Sequence, residues 1–213
     1  MKTQTYTPRG VDYFTLPVSY GDLTLETFTL SESELSMIRM RAMLGNGFIH
    51  DLELKANYEY TRLLQGRTIW MSDTPNEIHT NREFMSKAKG DVLVGGLGMG
   101  ITLMPLLENP AVTSITVVEK NKDVIELWKR STANLDVSKV TVEQGDIFTW
   151  GEPKKKDLYY DTIYFDIWPT VCADWWPHMK TLHRTYKHFL RNGGWKRCWM
   201  ENAMRDLWRE DYG

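Results

Sequence analysis

The stretch DVLVGGLGMG, residues 91–100, constrains this chain more than any other. A short apolar, β-rich run stops in four glycines within six positions. Ordering a glycine costs more chain entropy than ordering any other residue, so a cluster marks a place where side chains would be in the way. A strand, a tight glycine turn and a helix in succession form a dinucleotide or nucleoside site. The nicotinamide-cofactor fingerprint is G-x-G-x-x-G. Here Gly96, Gly98 and Gly100 give G-x-G-x-G, and Ile101 stands where the last glycine of that fingerprint belongs. The glycines alone leave the ligand open, so their surroundings have to decide it.

The surroundings alternate. GITLMPLLEN (100–109) reads as a helix, TSITVVEK (113–120) as a strand and KDVIELWKRS (122–131) as a helix. KVTVEQGD (139–146) and YDTIYFDIW (160–168) are further strands. WWPHMKTLHRTYKHFL (175–190) reads as a helix ended by Asn192-Gly193-Gly194, and WKRCWMEN (195–202) as a fifth strand. Strands alternating with helices at this spacing predict βαβ units. The expected class is α/β, a Rossmann-like, mostly parallel sheet with helices on both faces. Too few residues follow 202 for a final antiparallel hairpin, so the sheet is expected to be shortened or completed by N-terminal strands.

The first 85 residues read as a small α+β extension. They hold a hairpin-like pair of strands within 13–30 and a helix capped by Ser31 or Ser33. A hairpin over 59–73 turns at Gln65-Gly66, and a helix opened by Pro75 ends at Gly90. The expected organisation is an N-terminal extension, 1–85, packed on a nucleoside-binding core, 86–213.

Two acids fall at strand ends. Glu119 closes TVVE, about twenty residues past the glycines, where a carboxylate accepts both hydroxyls of a ribose. Asp146 follows the third strand on the same sheet edge, where an acid can accept from an exocyclic adenine amine. The bland alternative is that both merely end strands and cap helices. Ligands of open α/β sheets bind at this edge, which favours the site.

With these residues in view, 66 to about 202 resemble class I S-adenosylmethionine-dependent methyltransferases, and within them the spermidine-synthase-like branch, including its short bacterial and phage members. DVLVGGLGMG, ITVVEKNKDVIELW, VTVEQGDIF and YDTIYFDIWP look like that branch's successive blocks, and GRTIWMSDTPNEIHTNREFM looks like its lead-in hairpin and helix. The resemblance implies S-adenosylmethionine as cofactor, with Gly95, Gly96, Gly98 and Gly100 near its methionine moiety, Glu119 on the ribose and Asp146 on the adenine. Two departures bear on the reaction. Aminopropyltransferases carry an aspartate inside the loop, and that place is Gly98 here. Of the branch's D-x-x-D pair, Asp166 matches the first acid and Pro169 takes the place of the second. A polyamine needs several anionic partners, and this chain is short of them.

The expected activity is therefore methyl transfer from S-adenosylmethionine to a small-molecule acceptor. The alternatives are aminopropyl transfer, another sulfonium-donor reaction such as breakdown of the donor itself, and, in another class, a non-catalytic nucleoside-binding protein. Asp166 in FDIWPTVCADWW follows the fourth strand and is the candidate catalytic base. Trp168, Trp175 and Trp176 are candidates for an aromatic wall around a planar or cationic acceptor, with packing of the 175–190 helix as the alternative. The N/D-P-P-Y signature of amino-group DNA methyltransferases is missing from DIWP.

Composition narrows the partners. A net charge of −2 gives no general attraction to nucleic acid or to an anionic membrane. Lys154-Lys155-Lys156 reads as a solvated loop. No apolar run is long enough to span a membrane and the N-terminus has no signal-peptide core, so the cytoplasm is expected. Cys172 and Cys198 show no metal or redox spacing. His178, His183 and His188 recur every five residues and so spread around a helix, and His79 reads as a surface residue of the lead-in helix. No metal is expected, and a homodimer is compatible with the chain.

Overall fold

The computed structural model describes residues 10–151 and 158–213, so the Lys154-Lys155-Lys156 run lies outside the described residues. The chain divides into two compact units. The first takes the residues up to Arg82 together with 98–105 and 126–136, and the second takes 83–97, 106–125 and 137–213.

The first unit is built on an antiparallel meander of β1 (Val18–Tyr20), β2 (Leu23–Phe28), β3 (Tyr60–Gln65) and β4 (Thr68–Ser72), paired in chain order. The β3–β4 hairpin turns at Gly66-Arg67, one residue beyond the Gln65-Gly66 expected from sequence, because Gln65 still pairs with Thr68. Between β2 and β3 runs α2 (Glu32–Met43), followed by a 3₁₀ turn, Ile49–Glu53. Ser31 starts α2 with a capping box: its hydroxyl accepts from Glu34 N, and Glu34 accepts from Ser31 N. Leu35, Leu54 and Tyr60 form a small core beside it. Beyond β4, buried Asp73 accepts from the N–H of Gly10, in α1 (Gly10–Tyr13), and of Thr61, each at 2.6 Å. One carboxylate thus ties the first helix, a central strand and the start of the next helix.

That next helix, α3 (Pro75–Lys87), begins in the first unit and ends in the second. The second unit holds a five-stranded sheet of β5 (Gly90–Gly95), β6 (Val112–Glu119), β7 (Val140–Gln144), β8 (Tyr160–Phe165) and β9 (Leu190–Cys198). Their order is β7-β6-β5-β8-β9, and every pair is parallel. Val92, Leu93 and Val94 of β5 and Ile163, Tyr164 and Phe165 of β8 are buried in unbroken runs, as expected for parallel strands covered on both faces. The intervening helices are α4 (Met104–Glu108), α5 (Lys122–Ser131), α6 (Ile147–Trp150), α7 (Trp176–Thr185) and α8 (Glu201–Tyr212). Among the described residues, no helix is long and apolar enough to cross a membrane.

The C-terminal quarter departs from the sequence expectation. The helix expected over 175–190 stops at Thr185, and β9 begins at Leu190, five residues before the expected strand. Its pairing with β8 jumps from Tyr160↔Leu190 to Thr162↔Trp195, so 191–194 form a bulge, with Gly193 at φ +76°. A glycine pair that ends a helix and one that permits a bulge look alike in sequence. Glu201 starts a twelve-residue helix instead of continuing a strand. The N-terminal strands do not complete the parallel sheet: among the described residues it has five strands, and β1–β4 form a sheet of their own.

Candidate functional site

The strand order reverses between β5 and β8. β5 connects forward to β6 on one side, whereas β8 lies on the other, so the carboxyl ends of β5 and β8 flank a switch point. Along this edge the candidates follow one another in space: Asp146 just after β7, Glu119 at the end of β6, Gly95 at the end of β5, and Asp166 just after β8.

At the switch point the backbones nearly touch. Asp166 N donates to Gly95 O at 2.8 Å, and Gly96 N donates to Val118 O at 2.9 Å. Gly96 has φ +96°, and a Cβ on it would stand 2.1 Å from Asp166 O. Only glycine meets both conditions. A Cβ on Gly95 would meet Ile147 and Phe165 at 2.9 Å each. Gly98 and Gly100 belong to the first unit. Gly98 has φ +53°, and its Cβ would lie 2.4 Å from Met71 Sδ, which accepts from Met99 N at 3.1 Å. Gly100 lies against Trp128, whose buried Nε1 has no hydrogen-bond partner among the described residues. The space beside each of the four glycines is thus taken by the protein's own atoms.

Glu119 is partly buried and holds the loop. Its Oε2 accepts from Leu97 N at 2.8 Å, and its Oε1 accepts from Asn121 N at 2.7 Å. A carboxylate has about four acceptor positions, so two are used and two remain, enough for the two hydroxyls of a vicinal diol. Asp146 caps α6: Oδ1 accepts from Phe148 N at 3.0 Å, and Oδ2 accepts from Lys120 Nζ at 2.9 Å. The Lys120 ammonium, and then the Phe148 N–H, hold its carboxyl below the usual aspartate range, so it is an anion at neutral pH. It too keeps acceptor capacity beyond its capping role. Asp166 is partly buried where β8 runs out.

The three tryptophans divide. Trp168 is a core residue, buried with Met179, Leu182 and Tyr186, and its Nε1 finds no partner among the described residues. Trp175 and Trp176 are partly buried on the margin of the same cluster, and Trp175 lies 5.3 Å from the His178 ring.

Sequence reasoning passed over Glu77, on α3. Burial pushes its carboxyl up to about 7, against the opposing pull of the Ser72 N–H. Such a group can give or take a proton near neutrality, but spacing carries no signal of burial. His79 sits not alone but against Glu53 Oε1 at 3.1 Å, its ring stacked on His50 at 3.6 Å.

No family model and no curated protein sequence matches the chain. Solved structures do. The spermidine synthase of Thermotoga maritima is 12% identical, with a TM-score of 0.47 over 84% of this chain and 53% of that one. Fibrillarin of Aeropyrum pernix, in complex with natively bound S-adenosyl-L-methionine, is 20% identical, with a TM-score of 0.42 over 53% of this chain and 46% of that one. The CcbJ methyltransferase of Streptomyces caelestis is 16% identical, with a TM-score of 0.43 over 55% of this chain and 46% of that one. The chain spans about half the length of each.

Proposed function

We propose that the chain binds S-adenosylmethionine along the carboxyl edge of its parallel sheet and transfers the donor's methyl group to a small-molecule acceptor. The observation that carries this reading is the order of the acids. Asp146, Glu119 and Asp166 follow β7, β6 and β8 on one edge, and the switch point lies between the last two. A nucleoside laid along that edge meets an acceptor for its base, then one for its sugar, before its far end reaches the crevice.

The residues fit such a ligand. Glu119 is oriented by two backbone N–H groups and retains two acceptor positions for a ribose diol. Asp146 is held ionised and accepts from an exocyclic amine without leaving its cap. The bound donor supplies an electrophilic methyl carbon on a sulfonium, so the chain's task is to position a nucleophile and manage its proton. Asp166 is the group we assign to that proton, because it follows β8 at the crevice, beside Gly95 and Gly96.

The intact donor is favoured over the decarboxylated one. Aminopropyltransferases place an aspartate where Gly98 stands, and here the Met71 sulfur fills the position its Cβ would take. Calorimetric titration with S-adenosylmethionine, S-adenosylhomocysteine and decarboxylated S-adenosylmethionine tests the reading. The first two should bind more tightly than the third. A preference for the decarboxylated form would assign aminopropyl transfer instead, and binding of none would remove the nucleoside site.

A further inference from the structure

Three side chains outside the strand-edge site converge at the end of β9. His183 comes from the last turn of α7, Cys198 ends β9, and Glu201 opens α8. His183 Nε2 lies 3.0 Å from Glu201 Oε2 and 3.8 Å from Cys198 Sγ. The three donor atoms all lie within 4.8 Å of one another. Linear spacing conceals this, since the groups belong to three different elements.

A cysteine, a histidine and an acid invite comparison with a nucleophilic relay, and the geometry excludes one. A relay needs the thiol on one imidazole nitrogen and the orienting acid on the other. Here a single nitrogen, Nε2, faces both. The thiol is also buried, which pushes it up and away from the reactive thiolate. One atom that satisfies thiolate, imidazole and carboxylate together is a cation at their common centre.

We propose that His183, Cys198 and Glu201 bind a divalent zinc-class cation that pins α7 and α8 to the end of β9. Bonds of about 2.0–2.3 Å in a tetrahedron set neighbouring donors roughly 3.3–3.6 Å apart, within a few tenths of an ångström of the 3.0 and 3.8 Å that separate His183 Nε2 from Glu201 Oε2 and from Cys198 Sγ. Sulfur, imidazole nitrogen and carboxylate oxygen form a borderline-soft set that suits zinc over magnesium or calcium. The supporting contacts are already made. Cys198 N donates to Glu201 Oε2 at 3.0 Å, and Lys196 Nζ donates to the His183 carbonyl at 2.7 Å. Arg197 does not compete for the centre, because it faces the other oxygen, Oε1, at 3.5 Å and also faces Glu83. On binding, the cation replaces two protons, that of the Cys198 thiol, which leaves to solvent, and the one His183 Nε2 shares with Glu201 Oε2, so that a neutral imidazole with its remaining proton on Nδ1 ligates through Nε2. Three protein ligands leave the fourth position to water. The cation would act at the edge of the sheet, since among the described residues β9 pairs only with β8.

Cobalt(II) titration of the full chain tests this, because a thiolate ligand gives a near-ultraviolet charge-transfer band that nitrogen and oxygen ligands do not. The band should appear in the wild type, and it should survive Cys172→Ser, the other cysteine. It should also survive His79→Ala, which disrupts the His50, Glu53 and His79 cluster of the first unit. It should vanish in Cys198→Ser. His183→Ala and Glu201→Gln should weaken cobalt binding more than about tenfold, since even supporting residues around a metal change affinity by about 10–100-fold. Absence of the band from the wild type overturns the proposal without reference to any variant's folding. Its persistence in Cys198→Ser, or its loss in His79→Ala, overturns it equally.

Discussion

Glu119 fastens Leu97 and Asn121 to the end of β6 through its carboxylate. In the function proposed above, its remaining acceptor positions hold the ligand as well. Glu119→Ala should weaken S-adenosylmethionine binding by roughly 1–3 kcal/mol and also lower the melting temperature of the ligand-free protein, because two backbone donors lose a charged acceptor. Calorimetry and a thermal melt on the same sample read both effects. An unchanged affinity would remove the ribose assignment, and an unchanged melt would show that the two backbone bonds contribute nothing. Asp166 is different, because its backbone serves the sheet through its N–H to Gly95 while its side chain is the group assigned to chemistry. Asp166→Asn keeps size and removes charge. It should leave donor affinity nearly unchanged while slowing donor consumption about 10²–10⁴-fold, the range of positioned general-base catalysis. Lost donor binding would make Asp166 a ligand of the donor, and full turnover would make it structural.

Helix α3 carries the clearest pH dependence. Burial raises Glu77 from 4.5 to about 7 in the folded chain. Between those values the folded state holds a proton that the unfolded chain has released. Its contribution is therefore complete below 4.5 and is lost as pH rises to about 7, with a slope of at most about 1.4 kcal/mol per pH unit. Glu77→Gln should flatten that part of the stability profile and raise the melting temperature above pH 7. Identical profiles for the two proteins would place the Glu77 carboxylate in solvent. At this scale the sequence was unevenly legible. The strands from β5 to β8 and their edge acids could be read because an apolar run, a glycine turn and a terminal acid are local signals. β9 was shifted because the bulge at Gly193 and a helix stop use the same residue. The site suffered similarly. The acids could be placed by counting strand ends, but Trp168 could be a core residue or a wall residue on the same spacing, and only packing puts it in the core. The glycines were read as leaving bare backbone for a ligand, and nothing local told that the atoms beside them are the protein's own, Asp166 O at Gly96 and Met71 Sδ at Gly98.

Across the whole molecule, the division into units does not follow the chain. The first unit takes in 98–105 and 126–136, which lie between elements of the second. Within the first unit these segments are held by residues far upstream. Thr15 N donates to Ser131 O at 2.7 Å, and Asn134 Nδ2 donates to Thr15 Oγ1 at 3.2 Å. Met99 N donates to Met71 Sδ, and the Arg130 guanidinium lies 4.5 Å from the centre of the Tyr20 ring. Ile101, Leu103 and Met104, at most 2% exposed, sit in one of these segments. A fragment of residues 86–213 keeps the entire parallel sheet and all three edge acids, yet it strips those segments of their upstream partners. Losing the contacts to Thr15, Tyr20 and Met71, at about 0.5–1.5 kcal/mol for each hydrogen bond, removes a sizeable part of a typical domain's net stability. The fragment should therefore lack a cooperative melt by circular dichroism, elute as an aggregate, and fail to bind S-adenosylmethionine even though every proposed edge acid is present. A monomeric fragment that melts cooperatively and binds the donor with wild-type affinity would instead make residues 1–85 an appendage. The glycine loop would then owe nothing to Met71, and the argument from Met71 against an aspartate at Gly98 would fall with it.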